Sequence, residues 1–266
     1  MIGISAYLYY VKIRILVSLA YRFEVFFSML SNSIIMLSTV YFWRSAYRGI
    51  EMIAGVTLEQ MITYSIISAL LGTVFSFNVE NIVNERIREG DIAIDFLKPL
   101  NIFGLYFAQD VGTVISSLIQ KFLPMLMFAL LFIKVPVPHS FAHFVLFLIS
   151  CLFSYLILWL LSAITGLSAF WIIEMGPMGF VKNAIVRVLS GSIIPIWFFP
   201  SSIQKLLVFL PFTYTYQLPV GIYIGKIKFQ EATWSMLIQI IWVLILFILF
   251  CTMQKKAGKN LLVQGG

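Results

Sequence analysis

Few residues of this 266-residue chain could do chemistry, and one segment is unusually rich in them. The segment Glu80–Pro99 carries eight charged residues in twenty, whereas 11% of the whole chain is charged. Two more polar residues, Lys121 and Asn32, lie inside long apolar runs. A lysine at the centre of a lipid-embedded helix costs about 2.5–3.5 kcal/mol on insertion scales, so Lys121 is expected to face a protein interior or a watery cavity.

Lys121 and Asn32 each have two interpretations. Lys121 is either a cation on a transport path or a subunit interface, which a kink at Pro124 would help to expose, or it has no such role. In the second case it snorkels to the membrane surface, or the true span boundary differs from the predicted one. Asn32 is either a pathway residue or a hydrogen-bond partner between helices. The sequence leaves both pairs of alternatives open.

Patterns typical of catalysis and metal binding are missing from the sequence. There is no G-x-x-x-x-G-K-[ST] phosphate-binding loop and no credible Ser-His-Asp set. His139 and His143 are four residues apart, but Ser140 stands where the metalloprotease pattern needs a glutamate. Cys151 and Cys251 lie in apolar runs without disulfide or metal spacing. We expect no catalytic residue, no metal and no directly bound cofactor.

The composition predicts a membrane protein. Of the chain, 61% is hydrophobic, 25 residues are Phe, and the mean hydropathy is +0.99. Six apolar runs could each cross about 30 Å of hydrocarbon, where backbone groups must be satisfied within a helix. The fold class is therefore all-α polytopic membrane protein, with one domain over residues 1–266. The predicted spans are Val25–Trp43, Met61–Val79, Val111–Ile133, Phe141–Ile173, Val181–Phe199 and Trp234–Met253. The fourth run, with 33 residues, is expected to tilt, protrude or break, and Gly166 is the favoured break point.

Two more elements are predicted at the membrane surface. Residues 1–24 mix cations with aliphatic and aromatic residues, which favours an interfacial helix, with a plain basic tail as the alternative. Residues 195–228 are rich in proline and aromatic residues, which favours a re-entrant helical hairpin in the outer leaflet, with an aromatic surface loop as the alternative. The residues expected to form this outer cap are Pro195, Pro200, Pro211 and Tyr214.

The distribution of basic residues predicts that both termini are cytoplasmic. Of the 18 Lys and Arg residues, eleven fall on that side, six on the other, and Lys121 lies within a span. The segment 80–99 is then cytoplasmic. The net charge of +7 is explained by basic residues that flank the spans, where they orient the protein and attract anionic headgroups. No nucleic-acid partner is therefore expected.

The charged segment is predicted to form two helices joined by a corner. Its first half has apolar residues at helical spacing, and Gly90 stands where a helix C-cap glycine belongs. Asp91 is placed to cap a short second helix, Ile92–Leu97, which Pro99 would end. The alternative is a solvated interfacial helix without a partner.

Two motifs resemble the permease subunits of type-2 ABC exporters, in their bacterial six-span branch: E-R-I-R-E-G-D-I-A-I-D-F-L-K-P-L-N and the later P-I-W-F-F-P…L-P-F-T-Y. The resemblance implies a cytoplasmic coupling helix that docks on a separate ABC ATPase, which would hold ATP and Mg. It also implies a second permease, identical or homologous, surrounding membrane lipid and an outer cap. By position, the coupling residues would be Glu85, Arg86, Arg88, Glu89, Gly90, Asp91 and Asp95.

The function implied is export of an amphipathic drug, peptide or lipid-like substrate across a bacterial cytoplasmic membrane. One alternative is a gradient-driven channel or secondary transporter, which the sequence disfavours because no predicted span has a carboxylate at its middle. A second alternative, an intramembrane enzyme or assembly factor, lacks a catalytic constellation.

Overall fold

The computed structural model describes residues 2–97, 100–133, 136, 138, 140–172 and 178–264. These residues form a bundle of helices with one antiparallel strand pair. The strands are β1 (Met52–Ile53) and β2 (Val56–Thr57). The α-helices are α1 (Ile2–Ala20), α2 (Arg22–Ala46), α3 (Leu58–Val74), α4 (Val79–Arg88), α5 (Ile92–Phe96), α6 (Ile102–Ser117), α7 (Leu123–Phe132), α8 (Phe141–Leu167), α9 (Met178–Leu189), α10 (Ser201–Leu207), α11 (Gln217–Tyr223) and α12 (Phe229–Gln264).

The all-α membrane class is confirmed by the length and composition of the helices. Within the described residues, five helical stretches are long and apolar enough to span a membrane: Phe23–Ala46, Leu58–Arg88, Ile102–Phe132, Phe141–Phe170 and Phe229–Gly258. They correspond to the first four predicted spans and the sixth. The second stretch is interrupted between α3 and α4. Many large apolar side chains on these stretches are exposed, including Phe27 and Leu131, as lipid-facing positions require.

The fifth predicted span, 181–199, is wrong as a single helix. The 12-residue α9 ends at Leu189, and Gly191 has a φ of +81°. A left-handed glycine just after a helix is a common way to end it. A Cβ at Gly191 would lie 2.6 Å from Oε1 of Gln217, so packing also demands glycine here. Twelve residues rise about 18 Å, less than the hydrocarbon thickness, so the six-span count stays a prediction.

Of the alternatives for the long fourth span, a break at Gly166 is wrong. The helix α8 continues through it to Leu167, and a 3₁₀ turn follows. Gly166 instead lies where α4 crosses α8. A Cβ there would be 3.0 Å from Cα of Glu80 and 3.1 Å from Cβ of Val83. The missing side chain therefore lets the two helix backbones approach closely.

Replacing Gly166 with alanine is expected to push α4 away from α8 and to cost about 1–3 kcal/mol of stability through overpacking. Gly72 in α3 is the matched control, because its added Cβ would meet only Oη of Tyr216, at 3.9 Å. Helix propensity favours alanine at both sites by about 1 kcal/mol. Thermal unfolding in detergent measures the difference, and an equal shift for both variants would contradict the close contact.

The helix α1 lies along α6, and the two helices are parallel. The backbone of Val11 is so close to Gly112 that an added Cβ would be 2.7 Å from its carbonyl oxygen. Further along α1, Oγ of Ser18 accepts a hydrogen bond at 2.9 Å from Nε2 of Gln120, in the helical turn that follows α6. A helix exists where the interfacial helix is predicted, and its packing against α6 fixes its direction. Its place at a membrane surface stays a prediction.

The helix α3 forms the centre of the bundle and separates its two ends. Within an 18-residue apolar window of its membrane-length stretch, 67% of the residues are buried, the highest share among the five stretches found in the described residues. The strand pair lies at the start of α3, where Nζ of Lys226 donates to the carbonyl oxygen of Gly55 at 2.9 Å. The charged segment lies beyond the other end of this 17-residue helix, which is about 26 Å long.

Candidate functional site

The charged segment has the predicted shape of helix, glycine corner and short helix. The helix α4 ends at Arg88, Gly90 adopts a φ of +79°, and α5 follows at Ile92. The positive φ is one that residues with a side chain rarely adopt, which explains the glycine. The predicted stop at Pro99 lies outside the described residues.

Arg86 holds the corner together through an ionic clamp, by which we mean Arg86, Asp91 and Asp95. Its Nε and Nη2 donate to the two carboxylate oxygens of Asp95 at 2.7 and 2.8 Å, and its Nη1 donates to Asp91 at 2.8 Å. Asp95 is buried and also accepts a hydrogen bond from the hydroxyl of Tyr106 on α6 at 3.1 Å. Bidentate Arg–carboxylate pairs are strong and directional. The clamp therefore fixes α5 against α4 and both against α6.

The predicted capping role of Asp91 is wrong. Asp91 precedes α5, but its backbone is already helical and its side chain makes no cap hydrogen bond. Its carboxylate binds the guanidinium of Arg86 instead. A charged donor is a stronger partner for a carboxylate than a backbone N–H, which explains the choice.

The rest of the predicted coupling set forms an exposed surface, here called the docking face. The docking face consists of Glu85, Arg88, Glu89 and Gly90 with two exposed apolar residues, Ile94 and Leu97. Ile94 is 59% exposed and Leu97 is 84% exposed. Apolar residues within a charged rim are typical of protein interfaces. The sequence pattern indicated the charges, and the only signal for Ile94 and Leu97 was their i, i+3 spacing.

A buried ion pair joins α4 to the helices behind it. Nζ of Lys182 on α9 lies 2.6 Å from Oε1 of Glu80 and 2.6 Å from Oγ of Ser162 on α8. The side chains of Glu80 and Lys182 are only 3% and 14% exposed. Breaking such a pair is costly because one charge would stay buried alone. The two residues are 102 positions apart, so no sequence signal linked them.

A polar cavity of about 550 Å³ lies beside this ion pair. Helices α2, α3, α8 and α9 supply most of its wall, and Lys182 belongs to its lining. The polar lining residues are Asn32, Thr39, Ser65, Ser68, Thr73, Ser76, Ser162, Lys182, Asn183, Arg187 and Ser192. Along α3 the lining extends from Ser65 to Thr73, about 12 Å. The cavity has the size of a small-molecule site.

The two predicted polar residues within spans lie at different places. Asn32 lines the polar cavity. Lys121 does not, and it lies half-buried in a π-helical turn, Leu118–Phe122. Among the described residues it has no hydrogen-bond or ion-pair partner. Pro124 follows this turn and has no N–H to donate to Gln120, which fits the local departure from α-helical geometry.

The predicted outer-cap residues shape a run of short helices. Pro195 precedes a 3₁₀ turn, Pro200 precedes α10, and Pro211 begins a second 3₁₀ turn. The hydroxyl of Tyr214 donates to the carbonyl oxygen of Val208 at 2.9 Å, which closes the turn after α10. The helix α11 is largely buried, whereas α10 is largely exposed. The dipping of this segment into a leaflet stays a prediction.

A buried polar cluster anchors this segment to the bundle. The side-chain nitrogen Nε2 of Gln239 on α12 donates to the carbonyl oxygen of Tyr214 at 2.8 Å and to that of Ser150 at 2.9 Å. Ser154 on α8 also donates to the Tyr214 carbonyl, at 3.1 Å. All four residues are buried. Satisfied polar networks of this kind fix one packing arrangement.

Together these features define a class of protein. Long apolar helices enclose a polar cavity, and an exposed, clamped helical corner stands at one end of the bundle. These features are those of a polytopic membrane protein with a cavity between its helices. A family model described as "ABC-2 family transporter protein" matches residues 33–265. The chain therefore belongs to the ABC-2 transporter family, whose members are type-2 ABC permease subunits. Comparison with curated proteins and with solved structures gave no match.

Proposed function

We propose that this chain is the membrane-spanning subunit of an ATP-driven exporter, moved by a separate ABC ATPase that holds ATP and Mg. Family membership implies an ABC ATPase as partner. The proposal rests on one observation: side-chain contacts connect the docking face to the wall of the polar cavity. The ionic clamp makes the corner stiff, and the Glu80–Lys182 pair ties α4 to α9, a wall of the polar cavity.

The mechanism follows from these contacts. Closure of two ATPase subunits would press on the docking face and move α4 and α5 as one body, because Arg86 binds both ends of the corner. Motion of α4 would reach α8 through the contact at Gly166 and α9 through Lys182. The wall formed by α8 and α9 would then shift against α2 and α3 and change the side to which the cavity opens.

The same proposal includes the membrane, the orientation and the neighbouring permease of this subunit. The charged segment and both termini are cytoplasmic, the membrane is the bacterial cytoplasmic membrane with its lipid, and a second permease, identical or homologous, lies alongside. Half-buried Lys121, with no partner among the described residues, is a candidate contact for that second permease. Residues 195–228 form a re-entrant outer cap, and exposed apolar residues of α10 such as Leu206, which is 63% exposed, support this placement.

The docking face supplies the test. Replacing Arg88 with glutamate is expected to weaken ATPase binding at least about tenfold, because a reversed charge meets the same partner surface. The full tagged chain is purified from its native membrane, and co-eluting ATPase is quantified with substrate-stimulated ATP hydrolysis. Arg48→Glu is the control, since Arg48 is also exposed but lies at the opposite end of the bundle. Unchanged ATPase binding and hydrolysis in the Arg88 variant would refute the assignment.

A gradient-driven transporter is the second candidate, and one observation favours it. Asp110 lies inside the apolar stretch Ile102–Phe132, in its first third, whereas the expectation concerned carboxylates at the middle of a span. The predicted third span began at Val111, nine residues after the start of α6 at Ile102, and so left Asp110 out. Asp110 is 5% exposed and accepts a hydrogen bond from Nε1 of Trp159 at 3.0 Å. It does not line the polar cavity, so the ATP-driven function is preferred.

A further inference from the structure

We propose that the polar cavity binds amphipathic substrates by an anionic group, and that Arg187 of α9 is the residue that selects it. This inference rests on the proposed transport function and names the chemical class of its substrate. Four lining residues of α9 recur at i, i+1, i+4 and i+5, so one face of the helix borders the cavity: Lys182, Asn183, Val186 and Arg187.

The charge of the lining favours an anion. No described lining residue is Asp or Glu, whereas Lys182 and Arg187 are cations. The charge of Lys182 is balanced by Glu80 at 2.6 Å. The side chain of Arg187 is exposed and has no hydrogen-bond or ion-pair partner among the described residues. A guanidinium binds carboxylate, sulfate or phosphate through two parallel hydrogen bonds.

The remaining lining accounts for an amphipathic body. The apolar lining residues are Ile35, Ala69, Phe75, Phe77, Leu158, Val186, Ile193 and Tyr216. Hydroxyl and amide side chains supply most of the remaining lining, and they recognise polar groups without selecting a charge. A cavity of about 550 Å³ therefore offers one strong anion contact and an apolar surface for the rest of the molecule.

A binding experiment with two matched probes tests this selection. The full chain is placed in phosphatidylcholine nanodiscs and titrated with dansyl-labelled undecanoic acid and with a dansyl-labelled alkylamine of the same length. We expect the acid to bind at least about tenfold more tightly than the amine, because one charge-assisted hydrogen bond contributes a free energy of that size. Arg187→Gln should remove this preference, and Arg187→Lys should keep part of it. Arg48→Gln is the control, because Arg48 is exposed and lies outside the cavity lining.

The outcomes separate the substrate class from the transport function. Equal affinities for acid and amine, or an unchanged preference in Arg187→Gln, would overturn the anion site. A second titration in discs with phosphatidylglycerol identifies the source of the anion. Displacement of the acid supports a lipid headgroup at the same site, and continued binding supports a free amphiphile. If the wild-type chain co-purifies with an ATPase but shows no charge preference, the anionic class fails while the permease function stands.

Discussion

Replacing Arg86 with glutamine is expected to lower the free energy of unfolding by about 2–3 kcal/mol and to release the corner between α4 and α5. The variant loses two charge-assisted bonds to Asp95, whose side chain is 5% exposed. The bond to Asp91 counts for little, since that side chain is 41% exposed and screened by water. Thermal unfolding measures the loss of stability. Limited proteolysis measures the release, as faster cleavage near Gly90.

The lysine variant separates two roles for Arg86. If Arg86 contacted the ATPase as a positive charge, Arg86→Lys would bind the ATPase as the wild type does. If it acts as a clamp, Arg86→Lys should lose part of the corner rigidity, because an ammonium group lacks the planar fork that engages both oxygens of Asp95. Arg48→Gln should leave stability and cleavage unchanged. A glutamine variant at position 86 with wild-type protease resistance would show that the clamp does not stiffen the corner.

The helices of this fold were predictable where local composition decides them. An apolar run of about 20 residues in lipid has no alternative to a helix, so most of the spans follow from the sequence. The corner at Gly90 was also predictable, since a capping glycine and an amphipathic pattern are local signals. The break after α9 was not, because the apolar run continues past it. Gln217 and Tyr64, distant in sequence, surround Gly191 and set the turn there.

The candidate site was less predictable than the fold because its residues come from separate helices. Ser65, Ser68 and Thr73 are ordinary polar residues within an apolar helix, and each is compatible with simple helix packing. Only the bundle brings them to one cavity with Asn32 and Arg187. The composition of the charged segment marked it as a candidate site, but it did not show that its residues have different roles. Arg86 and Asp95 act inside the corner, and the docking face is left to their neighbours.

The second large effect is expected at the buried pair of Glu80 and Lys182. Replacing Lys182 with methionine should cost about 3–5 kcal/mol, because Glu80 would keep a buried charge without its partner. The other carboxylate oxygen of Glu80, Oε2, is already buried with no hydrogen-bond partner among the described residues. The double variant Glu80→Gln, Lys182→Met removes both charges and should regain stability to within about 1 kcal/mol of the wild type. Thermal unfolding of the single and double variants gives the comparison.

The double variant also tests whether this pair transmits motion. A pair that only stabilises the fold would allow ATP-driven transport to recover together with stability. A pair that carries motion from α4 to α9 would leave the double variant stable but uncoupled, with ATP hydrolysis no longer stimulated by substrate. We expect the second result, because Lys182 both pairs with Glu80 on α4 and lines the polar cavity. Recovery of both stability and transport in the double variant would show that motion reaches the cavity by another route. The close contact between α4 and α8 at Gly166 is the first alternative to test.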